Sequence, residues 1–212
     1  MSLTYEQFGG VARLEEGAFS IVPQGLHREL EDPSFHAPKY HEFSLLEHLR
    51  RVCVAAERIN EATGVDVRLA AALHDVAKVE MFPRVARGAN EAMLRGTLAS
   101  FKFHYISHER DSAEIAHDEG ADERAIWLVA NHDASYRGNL ATPEKLIAFC
   151  DGDQVLLAEL MAICAADAVG KGWPEAQQAQ RLAIADRFAA AATLAQLAPA
   201  FAAAVDDALR RW

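Results

Sequence analysis

His74 and Asp75 follow directly on the apolar run Leu69-Ala70-Ala71-Ala72-Leu73 and precede Val76, Ala77 and Lys78. Asp66 suits the N-cap of a helix from 67 to about 78, and Arg68 is the one charged residue between Val67 and Leu73. Such a helix is apolar almost all round and belongs in the interior. An imidazole and a carboxylate are costly to bury there unless something positive or hydrogen-bonding holds them. A bound metal ion would do this. Consecutive residues on a helix point about 100° apart, so the pair needs further ligands from other helices. The small side chains of Ala70 and Ala71, on the face of His74, let those helices come close.

Other segments offer such ligands. Ser44 and Glu47 fit a capping box ahead of the stripe Leu45, Leu49, Val52, Ala56 and Ile59, which Gly64 ends. His48 lies between Leu45 and Val52 at i+3 and i+4 spacing, so it faces the same core. His132 ends the stripe Ala125, Leu128 and Val129 of a helix that Asp122 caps. His108 leads into a helix with Ser107 or Asp111 as cap, and His104 competes with it one turn away. Two late aspartates meet apolar faces. Asp151 ends a short helix opened by Thr142 and Pro143, and Asp167 shares a face with Leu156, Leu160, Ile163 and Cys164 in a helix from Asp153 to Gly170. Asp167 is preferred because it continues a full stripe. Imidazole mixed with carboxylate suits Zn, Fe, Mn, Co or Ni better than Ca. Four groups make one site, and the extra histidines could serve a second ion.

These ligands need a helical scaffold, and the composition supplies one. The 212 residues are enough for one sizeable domain, alanine is abundant, and 12 Gly and 7 Pro with few β-branched runs favour an all-α protein. A net charge of -10 weighs against a broad polyanion-binding face, so nucleic acid is not an expected partner. A small anionic substrate is compatible, because a metal site reverses the local field. Cys53, Cys150 and Cys164 are widely spaced in apolar contexts and read as reduced core residues of a cytoplasmic protein. The N-terminus shows no basic region followed by an apolar one, and no apolar run nears membrane-spanning length.

The remaining segments are support. Residues 4 to about 39, with Pro23, Pro33 and Pro38, predict one or two short helices wrapped on the body, with His27, His36 and His41, here or just after, mostly as surface or loop residues. Residues 81–102 contain Pro83, Gly88 and Gly96 and predict a long irregular connection that could cover the site. His117 reads as solvated. Residues 174–212 predict two Ala-rich packing helices separated near Pro199, ending in the solvated Arg210 and Arg211.

The ordered set resembles a known family. His48 with Val52, then Leu73-His74-Asp75-Val76-Ala77-Lys78, then a late aspartate, is similar to the H…HD…D signature of the HD superfamily of metal-dependent phosphohydrolases. His108-Glu109 with Ser112-Ala113, Leu128-Val129 with His132, and Ala166-Asp167-Ala168 with Gly170 resemble in particular the HD domain attached to some bacterial tRNA nucleotidyltransferases. The likeness covers about 39–172. No nucleotidyltransferase segment precedes it here, so tRNA processing is not expected. The resemblance implies an all-α, single-domain HD-type helical bundle over 1–212. It also implies one or two divalent transition metal ions (Fe, Mn, Zn, Co or Ni). His48, His74, Asp75 and either Asp167 or Asp151 would hold the first, and His108 and His132 the second, with Asp75 bridging. The implied activity is hydrolysis of a nucleotide or other small phosphoester by metal-activated water, with Asp75 and Lys78 central to catalysis. Lys78, one turn beyond His74 and Asp75, would contact phosphate, and Arg51 on the His48 helix would assist. Two rivals share the pattern: the diiron oxygenases of the same superfamily, and a non-catalytic module that keeps the scaffold.

Overall fold

In the computed structural model, which describes residues 2–211, all regular structure among the described residues is helical. Met1 and Trp212, the two ends of the expected domain, lie outside the described residues. The chain opens with α1 (Tyr5–Phe8), α2 (Gly10–Ile21) and α3 (His27–Leu30). Next come α4 (Leu45–Thr63), α5 (Arg68–Leu73), α6 (Val76–Leu94) and α7 (His108–Asp118). The remainder is α8 (Glu123–Asn131), α9 (Pro143–Phe149), α10 (Gln154–Lys171), α11 (Glu175–Leu194) and α12 (Pro199–Arg211). Side-chain caps set several of these ends. Ser44 accepts from the Glu47 N–H, Asp122 from Ala125, Thr142 from Lys145, and Asp153 from Val155 and Leu156. The capping box on α4 is only half formed, because the Glu47 carboxylate accepts instead from Arg51 Nε, 2.9 Å away.

The centre of the bundle is α10. From Leu157 to Gly170 every residue except Glu159 is buried, as expected of a helix that is apolar on all faces. It packs against α4, with α5, α8, α11 and α12 around it. Leu45, Leu46, Leu49, Val52, Cys53, Ala56 and Ile59 of α4 are buried in the same core. The contact is closest at Gly170. A methyl group there would overlap Val52 Cγ2 and lie 2.8 Å from His48 Nδ1. Gly170→Ala is therefore expected to force α10 away from α4 and to cost about 1–3 kcal/mol, the usual range for overpacking a tight core. For a chain of this size that lowers Tm by about 2–4 °C per kcal/mol, which thermal unfolding would read directly. An unchanged Tm would show that the two helices separate freely here.

Two local expectations are corrected. Residues 81–102 are not a long irregular connection, since α6 runs through them to Leu94 with Pro83 inside. Phe82, Val85, Ala86, Ala89 and Ala92 are buried at three- and four-residue spacing, so burial of this stripe outweighs the missing proline donor. Gly88 serves the packing rather than breaking the helix, because a Cβ there would lie 3.1 Å from the Phe101 ring. The expected helix over 67–78 is also interrupted, ending at Leu73 and restarting at Val76.

The C-terminal helices are tied in by Arg181. Its buried guanidinium donates to the carbonyls of Ala168 and Gly172 at the end of α10 and of Ala208 and Leu209 in α12. It thus satisfies acceptors that helix ends leave open. Cys53, Cys150 and Cys164 are free and buried. No helix among the described residues is long and apolar enough to cross a membrane.

Candidate metal centre

The interruption at His74 and Asp75 is what lets neighbours in sequence share one point in space. Asp75 leaves helical geometry (φ -122, ψ 17), and α6 restarts with the Lys78 N–H donating to the Asp75 carbonyl at 2.9 Å. Three imidazoles are held in the same way. His74 Nδ1 donates to the Ala71 carbonyl at 2.7 Å, His132 Nδ1 to Val129 at 2.7 Å, and His108 Nδ1 to Tyr105 at 2.8 Å. A carbonyl only accepts, so in each ring Nδ1 carries a proton and Nε2 is the nitrogen turned inward.

Those lone pairs meet two carboxylates. His48 Nε2, from α4, lies 3.2 Å from His74 Nε2, and Asp167 Oδ1 is 3.6 Å from the former and 3.8 Å from the latter. On the other side, Asp75 Oδ1 is 3.3 Å from His108 Nε2 and 3.5 Å from His132 Nε2. Asp75 Oδ2 turns back to the first group, 3.1 Å from His48 Nε2 and 3.3 Å from His74 Nε2. The result is two sets of possible metal ligands, His48 with His74 and Asp167, and Asp75 with His108 and His132. Asp75 touches both.

The donor set fits a cation. Asp75 Oδ1 and Asp167 Oδ1 are buried without a hydrogen-bond partner among the described residues, and orphaned acceptors of this kind are rare because each costs about 1–3 kcal/mol. The cations in contact with the two carboxylates sit on the opposite oxygens, Lys78 at 2.7 Å from Asp75 Oδ2 and Lys171 against Asp167 Oδ2. Two imidazole nitrogens facing one carboxylate oxygen in each set are a ligand arrangement for a divalent transition metal.

The electrostatics favour the deprotonated forms of Asp75, Asp167, His48, His108 and His132. Burial alone would raise Asp75, but the Lys78 ammonium, with His74 and His108, holds it well below the usual carboxylate range. Asp167 is likewise depressed, burial being outweighed by Lys171 and His48. Burial pushes His48 down. It takes His108 to about 3, helped by Lys78, and His132 to about 4. These shifts fix the sign of a pH effect. An unfolded histidine takes up a proton as pH falls below about 6.5, whereas the buried rings stay neutral, so stability present above that pH is lost on acidification. The depressed aspartates add to the loss below about pH 4. In excess chelator, Tm is expected to fall steadily from pH 7.5 to pH 4. A flat profile between pH 7 and pH 5 would contradict neutral buried histidines.

Other candidate residues lie apart from the two sets. Asp151 is exposed in a left-handed turn after α9 (φ 51), and Asp167 is the late aspartate that meets the histidines. His104 is exposed, leaving His108 as the ligand of that pair. Arg51 is engaged with Glu47 and lies 3.8 Å over the Phe43 ring rather than in the cluster. Lys171, unremarked in the sequence, is in the site. The larger surprise is His36 and His41, expected as surface or loop residues: they lie in a loop, but buried and stacked beside His48. No periodic pattern marks them. Their position depends on long-range pairing such as the Glu42 N–H to the Lys171 carbonyl at 3.0 Å.

A model of the HD domain family matches residues 45–191, from the start of α4 into α11. No curated protein and no solved structure matches the chain.

Proposed function

The chain belongs to the HD domain family, and from that premise we propose that it is a metal-dependent phosphohydrolase acting with water on a nucleotide or other small phosphoester. The observation that carries the reading is the single carboxylate of Asp75, whose two oxygens each lie within 3.5 Å of two imidazole nitrogens. In this reading His48, His74, Asp167 and Asp75 would hold one divalent ion, and His108, His132 and Asp75 a second. Such ions, when bound, make hydroxide available from water near neutral pH and offset charge on phosphoryl oxygens. The likeness to the HD domain of tRNA nucleotidyltransferases serves here only as a guide to ligand order.

The chain's own residues prepare the site. The carbonyls of Ala71, Val129 and Tyr105 fix three ring orientations before any ligand arrives, which limits the reorganisation that the reaction requires. Asp75 stays a carboxylate and is a weak base, so its role is to ligate and orient rather than to remove a proton. Lys78 and Lys171 hold one oxygen of each aspartate and leave the other free. The Lys78 ammonium is also the positive group next to Asp75 and is suited to attract a phosphoryl oxygen.

Elemental analysis followed by a phosphoester panel with Mn, Fe, Co, Ni and Zn tests the reading. The expected result is metal-dependent product release that chelation abolishes. A blank panel with both sets of ligands filled would overturn it, and substrate-dependent oxygen uptake by a two-iron protein would move the same ligands to the oxygenase branch.

A further inference from the structure

Asp75 occupies a position with two competing demands. It is the residue immediately before α6, where the first N–H groups of a helix have no partner four residues back. An aspartate in that position ordinarily turns its carboxylate onto one of them. Here it makes no such bond. Both oxygens face histidines instead, and Lys78 holds Oδ2 at 2.7 Å. The start of α6 has therefore lost its own cap to the metal centre.

The missing cap comes from another helix. A continuous helix would give the Ala77 N–H to the Leu73 carbonyl, but the chain is interrupted between those residues. Ser112 of α7 takes the place of that carbonyl, its Oγ accepting from the Ala77 N–H at 3.1 Å, 35 residues away in the chain. Ser112 is 0% exposed. It lies one turn beyond His108 on the same face of α7, and His108 Nε2 is 3.3 Å from Asp75 Oδ1. One face of α7 thus holds the backbone just after Asp75 with its serine and meets the Asp75 carboxylate with its histidine.

We propose that Ser112 is a positioning residue for the metal centre: by capping α6 from outside, its hydroxyl releases the Asp75 carboxylate to serve both sets of ligands. Ser112 itself belongs to neither set. Without the hydroxyl, the Ala77 N–H becomes a buried donor in need of a partner. Ala77 is the second residue of α6, the position that a capping side chain usually reaches, and the residue that would reach it is Asp75. Turning Asp75 onto that N–H withdraws an oxygen from the histidines. The proposal rests on the metal reading of Asp75 and not on the nature of the substrate.

Calorimetric titration of the full chain with Mn, in the absence of substrate, is the test. Loss of a group that orients a metal ligand commonly weakens binding by about 10–100-fold, and Ser112→Ala is expected to fall in that range. The loss should fall on the ion of His108 and His132, whose set contains no carboxylate besides Asp75. Ser112→Thr keeps the oxygen and should stay within about threefold of wild type. Ile184→Val, a buried truncation in α11, lowers stability through packing alone and should leave both affinities unchanged. Ser112→Ala titrating like wild type, or a loss in Ser112→Thr or Ile184→Val as large as in Ser112→Ala, overturns the assignment. A blank phosphoester panel with this pattern of affinities would sink the hydrolase reading alone, whereas metal-dependent turnover with wild-type affinity in Ser112→Ala would sink the positioning role alone.

Discussion

Asp75→Ala protein is expected to lose metal from both sets of ligands and to fall to background turnover, whereas His132→Ala keeps the first ion and part of the activity. The asymmetry follows from the distances. Asp75 Oδ2 lies 3.1 and 3.3 Å from His48 and His74, and Oδ1 lies 3.3 and 3.5 Å from His108 and His132. Truncating it removes a donor from each set at once, together with the negative charge that would screen two cations from one another. His132 contributes to one set alone. Asp75→Ala also strands the Lys78 ammonium, which is 6% exposed, so a drop in Tm accompanies the loss of metal. Circular dichroism at 20 °C checks that the variant is folded, and elemental analysis then counts the ions. Two tightly bound ions in Asp75→Ala, or both sites empty in His132→Ala, would refute the shared-carboxylate arrangement.

The parts of this site that could be read in the sequence are those that periodicity exposes. His48, His132 and Asp167 each interrupt an apolar stripe, and a stripe predicts burial whatever the partner helix is. The all-α class followed from the composition, rich in alanine and poor in β-branched runs. What stayed hidden depends on contacts between distant segments. Nothing between Leu73 and Val76 is a helix breaker, so the turn that aims His74 and Asp75 together is set by packing rather than by propensity. Pro83 and Gly88 carried the opposite signal, since their local preference was overridden by the buried face of α6. His36 and His41 lie in a proline-containing strap with no period at all. Lys171 had a legible i+4 relation to Asp167, but its importance appears only once Asp167 is known to be buried and paired with it.

Asp167 allows ligation and folding to be separated, because its two oxygens face different partners. Oδ1 is unpartnered and points to His48 and His74, while Oδ2 is engaged by Lys171, whose ammonium also lies 4.2 Å from the Tyr136 ring. Asp167→Asn is expected to lose the first ion and to be destabilised by up to about 3–5 kcal/mol, since it leaves a largely shielded cation without its carboxylate. Adding Lys171→Met removes that stranded charge and replaces it with an apolar chain of similar length, so the double variant should regain most of the lost Tm. It should not regain the metal, because the ligand oxygen is still missing. Asp151→Asn, in an exposed turn, is expected to change neither quantity. Thermal unfolding and metal titration on the three proteins decide the matter. If the double variant recovers metal binding along with stability, Asp167 is a structural partner of Lys171 and not a ligand. If Asp151→Asn empties the first site, the late aspartate has been misassigned.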